Sequence, residues 1–293
     1  MTLMITVKLI GGIGNQMFQY AAGRGLAIAN NTRLALDITD LQTTLPRKNF
    51  TRRCFALDFF KIDARLTAFS KLGKRLPNAA FLINRLARFS RRTIKEKQPF
   101  IFDPTVASAG DGVYLDGWWQ NEKYFSGIRE TLLHDFSLKD EAGKEARTIL
   151  GLIKNSGDLP AISLHIRRGD YVSNKLNNRY LGVCGPDYYR AALAVMGERI
   201  GNFNLFVFSD DIEWAKYNLS YAGKTVYVSG RGLGDGEELI LMSKCSHNII
   251  ANSSFSWWGA WLNQNKNKIV VAPGKWFNIW NTSDLIPSGW IKV

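Results

Sequence analysis

Along this chain, short apolar runs of strand length alternate with runs of helical periodicity, and that rhythm leaves few architectures open. Residues 6–10, 33–37, 161–167, 205–209, 224–228 and 248–251 read as strands, and residues 18–30, 186–199, 237–245 and 255–263 as helices. A helix between two strands returns the chain to the starting end of the sheet, so neighbouring strands pair in parallel. The expected fold class is therefore α/β with parallel sheets. An irregular, basic middle interrupts the series, and Gly-Asp-Leu-Pro at 157–160 precedes a fresh start. The expected domains are residues 1–157 and residues 158–293. With 293 residues and 46% hydrophobic content, the chain can bury a large core in either one domain or two.

Composition also removes function classes. No run of about 18 uncharged apolar residues is present, so a membrane-spanning helix is not expected. The first ten residues lack the basic region and cleavage site of a secretory signal and read as a first buried strand. Cys54, Cys184 and Cys245 are odd in number and outside metal-ligand spacing, which fits a reducing, cytoplasmic setting. His134, His165 and His247 are equally scattered, so no zinc site is expected. No Asp-x-Asp pair is present to hold a donor through a divalent ion. The net charge of +13 is concentrated, because residues 61–97 carry eleven Lys and Arg against Asp63 and Glu96. Within that segment, residues 78–92 place Phe81, Leu82, Leu86 and Phe89 at helical spacing with arginines alongside. A basic amphipathic helix of this kind suits an anionic membrane surface. The alternative is a solvated face that packs its apolar stripe on the core. Nucleic acid is not expected as a partner, since no recognisable binding module accompanies the charge.

Open parallel sheets bind ligands beyond the C-terminal ends of their strands, and four such ends here are polar or glycine-rich. The first is Gly11-Gly12-Ile-Gly14-Asn15-Gln16-Met17. Its glycines let backbone approach a ligand, and Asn15 and Gln16 add directional polar groups. With Asp37 at a plausible distance for a ribose contact, the loop resembles a dinucleotide fingerprint. Met17, however, stands where a third glycine belongs, and no Lys-Ser/Thr follows. A helix cap without ligand is the alternative. The second end is the run 161–172, Ala-Ile-Ser-Leu-His-Ile-Arg-Arg-Gly-Asp-Tyr-Val. Alternation puts His165 and Arg167 on one face and Leu164, Ile166 and Arg168 on the other. The planar fork of Arg167 suits a pyrophosphate, and Asp170 follows Gly169 at the turn. A buried ion pair joining two elements is the competing reading.

The third end, Ser209-Asp210-Asp211, closes an apolar strand with two acids suited to guanine N–H groups or a ribose hydroxyl. Capping the next helix would use only one of them. At the fourth, Asn252-Ser253-Ser254-Phe255 opens a helix whose unpaired N–H groups, dipole and hydroxyls together make a phosphate site. Ordinary N-capping accounts for one serine but not for the whole polar run. Trp257, Trp258 and Trp261 read as helix–sheet packing in preference to sugar platforms. Residues 115–120 contain Asp116, Trp118, Trp119 and Gln120, offering aromatic faces to pyranose rings and an acid to hydroxyls; a structural loop is the alternative.

Together these segments resemble the bacterial α-1,2-fucosyltransferases of glycosyltransferase family 11. The likeness rests on the loop at 11–20, on His165-Ile-Arg167-Arg168-Gly-Asp170, on residues 209–211 with Trp214 and Asn218-Leu219, and on residues 249–263 with Pro273 and Trp276. It implies a GT-B-type fold, two Rossmann-like parallel-sheet domains facing across a cleft. The first domain would be the acceptor side and include segment 61–97; the second would hold GDP-fucose. GDP-fucose would be a co-substrate, with no metal and no other cofactor. In that scheme Arg167 binds the β-phosphate and His165 helps hold the nucleotide. Asp210 and Asp211 contact guanine or ribose, Ser253 and Ser254 cradle phosphate, and Asn252 and Phe255 stand beside them. Gly12, Gly14 and Asn15 form the opposing loop, with Asn15 at the fucose–phosphate region.

The implied reaction is inverting transfer of L-fucose to the 2-hydroxyl of a galactose residue, in surface polysaccharide or O-antigen synthesis. Arg167, Asn15 and Asp170 are the catalytic candidates, Asp170 either as base or as a partner of Arg168 that holds the turn. Asp116, Trp118 and Trp119 are the acceptor candidates. The implied acceptor is a galactose-terminated oligosaccharide or a lipid-linked glycan. With the basic segment, that places the protein in the cytoplasm, with a peripheral position at the inner membrane face as the extension. Transfer to another linkage, a nucleotide-linked oxidoreductase using residues 11–14 and Asp37, and a non-catalytic carbohydrate-binding protein stay open.

Overall fold

The structure, a computed structural model, describes residues 4–42, 53–67 and 92–293. The amphipathic stretch 78–92, apart from Arg92, lies outside the described residues, and with it most of segment 61–97. The chain divides into two compact units, Met1–Lys139 with Asn281–Leu285, and Asp140–Trp280 with Ile286–Val293. Each carries one parallel sheet.

In the first unit the main elements are β1 (Ile5–Lys8), α1 (Ile13–Ala29), β2 (Leu34–Asp37), β3 (Arg65–Leu66), β4 (Arg92–Lys95), β5 (Val113–Asp116) and α2 (Arg129–Asp135). The sheet order is β3-β2-β1-β5-β4, every pairing parallel. β1 and β2 are almost wholly buried, as apolar strands covered on both faces must be. β4 is the edge strand, and its outer residues Arg92 and Lys95 are exposed, a composition that discourages pairing with another chain. α1 begins earlier than the apolar periodicity predicts, because Gly12 already caps it. Tyr20 on α1 donates to Asp135 of α2 at 2.6 Å, and Arg24 Nε donates to the same carboxylate oxygen at 3.1 Å. These bonds fasten α2 to the helix that follows β1.

The second unit contains α3 (Lys144–Lys154), β6 (Ala161–Ile166), α4 (Gly169–Ser173), α5 (Lys175–Leu181), α6 (Pro186–Ile200), β7 (Asn204–Ser209), α7 (Ile212–Asn218), β8 (Thr225–Tyr227), α8 (Asp235–Lys244), β9 (His247–Ile249), α9 (Ser254–Trp261), β10 (Val270–Ala272) and β11 (Ile291–Lys292). Its sheet order is β11-β10-β9-β6-β7-β8, again parallel throughout. Alternation along β6 splits the core in two. Ile162, Leu164 and Ile166 face Tyr189, Ala192 and Met196 of α6. Ala161, with Phe206 and Phe208 of β7, faces Ile149 and Ile153 of α3 and Leu241 and Met242 of α8. That packing places α3 in the second unit, whereas the sequence reading put residues 144–154 ahead of its boundary. Among the described residues no helix is long and apolar enough to cross a membrane.

In both sheets the strand order reverses beside a central strand. In the first, β2 and β3 run to one side of β1 while β5 and β4 lie on the other. In the second, β7 and β8 lie on one side of β6 while β9, β10 and β11 lie on the other. Strand ends at such a reversal open a crevice, because the loops leaving the two central strands diverge to opposite faces.

The second sheet is pinned at depth by Asn248, which is fully buried. Its Nδ2 donates to Ser163 Oγ at 2.7 Å and to the Met242 carbonyl at 2.9 Å, and its Oδ1 accepts from Asn263 Nδ2 at 2.8 Å. One side chain thus joins β6, α8 and the segment after α9. Asn248→Ala should destabilise the protein by about 1–3 kcal/mol, the usual cost of stranding buried polar groups. Urea denaturation at neutral pH measures this; an unchanged midpoint would show that the network is not needed.

Candidate active site

The crevice of the second unit lies between the ends of β6 and β9. β6 delivers His165 on its last buried turn of chain and Arg167 just beyond. Arg167 is fixed from two sides, with Nη2 donating to Asp170 Oδ1 at 2.6 Å and Nη1 in an ion pair with Asp210 Oδ2 at 3.0 Å. Burial works against its charge, but the two carboxylates more than offset that and raise its pKa further. Arg168 turns the other way, with Nε donating to Asp211 Oδ2 at 3.1 Å and the guanidinium 4.2 Å from the centre of the Trp214 ring. Opposite faces for Arg167 and Arg168 follow from strand alternation.

The acids at the end of β7 are therefore occupied. Asp210 Oδ1 accepts the Arg168 backbone N–H at 2.8 Å while Oδ2 takes Arg167. Asp211 Oδ1 caps α7 through the Trp214 N–H at 3.1 Å while Oδ2 takes Arg168. β7 lies directly beside β6, so each of these acids, expected on a ligand, also holds an arginine, while Asp210 and Asp211 keep side-chain exposures of 26% and 40%. Asp170 is likewise the partner of Arg167 and not of Arg168. Gly169 is required by space, because a Cβ there would come 2.5 Å from Asp210 Oδ2.

His165 is 4% exposed, and its ring lies 5.4 Å from that of Phe255. Burial and the charge of Arg167 hold its pKa down to about 3, so the imidazole is neutral at physiological pH. Its Nδ1 is buried without a protein partner. At the end of β9, Asn252 was expected on the ligand. Its Nδ2 instead donates to the carbonyls of Leu181, Gly182 and Trp276 at 2.9, 3.2 and 3.1 Å, and its Oδ1 accepts from Cys184 Sγ. It is an anchor for three loops. Ser253 stands at the N-cap of α9 with its hydroxyl making no cap bond, and Ser254 and Phe255 form the first turn. Trp257, Trp258 and Trp261 are buried in packing, as read from the sequence.

Two residues at this edge were missed. Ser229 accepts the Ser209 N–H at 2.9 Å and donates to Glu238 Oε2 at 2.8 Å. Burial, with lesser contributions from Asp235 and Asp210, pushes the Glu238 carboxyl up to about 7 against the Ser229 hydrogen bond. The available signal was a charged residue heading the apolar run Leu239–Met242.

In the first unit the crevice lies between β1 and β5. Gly11 has φ +80°, and a Cβ there would come 2.5 Å from Asn15 Nδ2 and 3.1 Å from the Trp118 ring, so only glycine fits. Gly12 caps α1 and Gly14 is buried in its first turn. Asn15 Oδ1 accepts from Gln120 Nε2 at 2.7 Å, which ties the glycine loop to the loop after β5. Gln16 is buried and bonds the carbonyls of Gly11 and Cys54 and the Ala56 N–H, so it holds the loop in place. Asp116 pairs with Lys8 at 3.2 Å. Trp118 is half-buried, but Trp119 is 0% exposed. Its expected role as a sugar platform is corrected: Glu96 accepts the N–H groups of Trp118 and Trp119 at 2.7 and 3.1 Å and folds the second ring inward. Asp37 is buried, with Tyr114 on one oxygen and Thr39 on the other. A ribose-binding role for it, as a dinucleotide oxidoreductase needs, would require breaking those bonds. Among the described residues no group of three His, Cys, Asp or Glu side chains is placed to hold a metal.

The family model described as glycosyl transferase family 11 matches residues 1–292. The alpha-1,2-colitosyltransferase of Escherichia coli is 34% identical over 99% of this chain and 99% of its own. The O-antigen biosynthesis glycosyltransferase WbnK of Escherichia coli is 33% identical over 97% of this chain and 99% of its own. The solved structure of fucosyltransferase NodZ from Bradyrhizobium superposes with a TM-score of 0.50 at 11% identity, covering 88% of this chain and 93% of that one; the likeness is one of fold.

The depressed pKa of His165 makes stability depend on pH. The native imidazole stays neutral down to about pH 3, whereas the unfolded chain binds that proton below about 6.5, so stability is full above 6.5 and falls as pH drops. Between pH 7 and pH 5, His165→Gln should lose about 2 kcal/mol less than the wild type. Urea denaturation of both proteins at the two pH values measures the difference, and parallel losses would refute it.

Proposed function

Since the chain belongs to glycosyl transferase family 11, we propose that it transfers L-fucose from GDP-β-L-fucose to the 2-hydroxyl of a galactose residue, in building a surface polysaccharide such as O-antigen. The observation that carries this reading is Arg167, held by two carboxylates at the β6 end beside the start of α9. The galactose 2-oxygen attacks C1 of fucose, the C1–O bond to the β-phosphate breaks, and its electron pair leaves with GDP. The 2-hydroxyl proton passes to the departing phosphate or to water, and the β-linked donor becomes an α-fucoside. Negative charge growing on the leaving phosphate is met by Arg167 and the N–H groups of the α9 start, aimed before the reaction begins. Asp170 and Asp210 keep the guanidinium in place. Asp170 acts through Arg167 in this scheme, since a carboxylate engaged at 2.6 Å is a poor base.

Neutral His165 offers an unpartnered Nδ1 to the nucleotide, and for the first unit a sugar contact by Asn15 of the glycine loop is proposed. Asp116 and Trp118 remain the acceptor contacts of the first unit. Transfer without a metal belongs to the proposal. Colitosyl transfer is the second reading, favoured by the 34% identity with a protein named for that activity.

Incubation with GDP-fucose or GDP-colitose and a panel of β-galactosides, followed by linkage analysis of the product, tests both donors at once. Arg167→Ala should cost about 100-fold or more in turnover and weaken GDP binding measured by calorimetry. Intact turnover and GDP affinity in that variant would overturn the assignment, and an α-1,3 or α-1,6 product would overturn the linkage.

A further inference from the structure

Helix α5 and the loop after β10 together display an aromatic surface that nothing in the donor scheme uses. Tyr180 and Trp280 lie 6.1 Å apart at 34°, and Phe277 meets Trp280 edge-on at 5.4 Å. Tyr180 is 38% exposed, Trp280 40% and Ile279 53%. Exposed rings on loose loops carry little meaning, but these are held by a dense set of backbone bonds. The Asn278 N–H donates to the Tyr180 carbonyl at 2.9 Å, and its Nδ2 to the carbonyls of Arg179 and Asn178 at 3.2 and 3.4 Å. Asn252 then binds Leu181, Gly182 and Trp276 from below. Gly182 has φ +72°, a backbone conformation that favours glycine, and a Cβ there would come 3.2 Å from Asn278 Oδ1, a close joint between helix and loop. Two asparagines and a glycine therefore hold two exposed rings, Tyr180 and Trp280, with the half-buried Phe277 against them, an arrangement with little value for the core.

A relay of contacts links this surface to the arginine site. The Arg167 guanidinium lies 5.4 Å from the centre of the Tyr171 ring, and the Tyr171 hydroxyl donates to the Asn252 carbonyl at 3.4 Å. Asn252 is the anchor of the aromatic surface itself. A group bound at Arg167 and one resting on Trp280 would thus share a single hydrogen-bonded frame.

We propose that Tyr180, Phe277 and Trp280 form an acceptor subsite in the second unit, a platform for the C–H face of a pyranose ring one or more residues removed from the galactose that is modified. The inference rests on the transferase reading above. Flat rings with a phenol hydroxyl and an indole N–H at their rim match a sugar, which is apolar on one face and polar around its edge. The chain of contacts from these rings through Asn252 and Tyr171 to Arg167 favours a glycan as the occupant, because the acceptor must reach the donor held at that arginine. Its effect is on the acceptor KM, and it falls on oligosaccharides while sparing a simple methyl β-galactoside.

Steady-state kinetics of Trp280→Ala and Tyr180→Ala, with a β-galactoside oligosaccharide and with methyl β-galactoside, test this. The oligosaccharide KM should rise about tenfold in each, the worth of one aromatic contact, with the KM for GDP-fucose moving much less and Trp280→Phe restoring most of the loss. An oligosaccharide KM within twofold of wild type, or equal losses toward both acceptors and GDP-fucose, would overturn the proposal. If the alanine variants fail to fold, saturation-transfer NMR between the oligosaccharide and wild-type protein decides the matter, and absence of transfer to the sugar would overturn it. Loss of binding to phosphatidylglycerol vesicles in Trp280→Ala, with the oligosaccharide KM unchanged, would assign the surface to a membrane instead. A wild-type protein that moves no sugar to any galactoside, yet still shows saturation transfer from these rings, would sink the transferase reading and leave the platform standing.

Discussion

A parallel strand buried on both faces has only its ends for chemistry, and β6 is such a strand. Every one of its six residues is buried, with one layer of helices behind its even positions and another behind its odd ones. Polar groups along its length would have to be satisfied internally, as Ser163 is by Asn248. Past Ile166 the covering layers diverge, since β7 leaves on one side and β9 lies on the other. The arginines, the turn glycine and the acids all fall within the few residues where the chain leaves that double cover. The first unit repeats the constraint with β1, whose exit is the glycine loop. In both cases the fold dictates where a site can be before any side chain is chosen.

What occupies the exit is governed by a second constraint, the cost of a buried charge without a partner. Arg167 and Arg168 leave β6 in opposite directions, and each finds a carboxylate from the neighbouring strand end. Asp210 and Asp211 are adjacent in sequence yet serve different arginines, which is itself strand alternation acting on β7. Gly169 is the concession that permits this closeness, since any side chain there would displace Asp210. Three elements, β6, β7 and α4, are locked together by five charged groups.

Much of this was legible in the sequence because it is local. Strand rhythm, the split of His165 and Arg167 from Ile166 and Arg168, the serine-rich start of α9 and the packing of its tryptophans all depend on spacing within a segment. What escaped depends on pairing between segments. Nothing in Ser-Asp-Asp says that β7 will lie beside β6, so the pairing of its acids with Arg167 and Arg168 was not legible. Asn252 reads as a phosphate contact until residues 181, 182 and 276 are seen converging on it. Trp119 reads as a platform until Glu96, more than twenty residues upstream, draws its backbone inward. Helix α3 is amphipathic through Ala146, Ile149 and Ile153, but an apolar stripe does not name the sheet it will cover. Sequence order conceals all four, and parallel topology, which joins strands far apart in the chain, is the reason.

The charge count at the β6 end carries one more consequence. Two guanidinium groups face three carboxylates there, so attraction of an anion cannot come from net charge. It must come from direction. Asp170 and Asp210 leave Arg167 no freedom to swing, and the backbone N–H groups at the start of α9 are fixed by the helix itself. Neutral His165 adds no positive charge to that count. Donors fixed in this way gain little from a ligand already stable in water, but they need no reorganisation when charge appears on a leaving group. On the proposed reading, this end of β6 is therefore built to meet charge as it develops, and a ligand must supply its own contacts, to base, sugar or acceptor, to remain there.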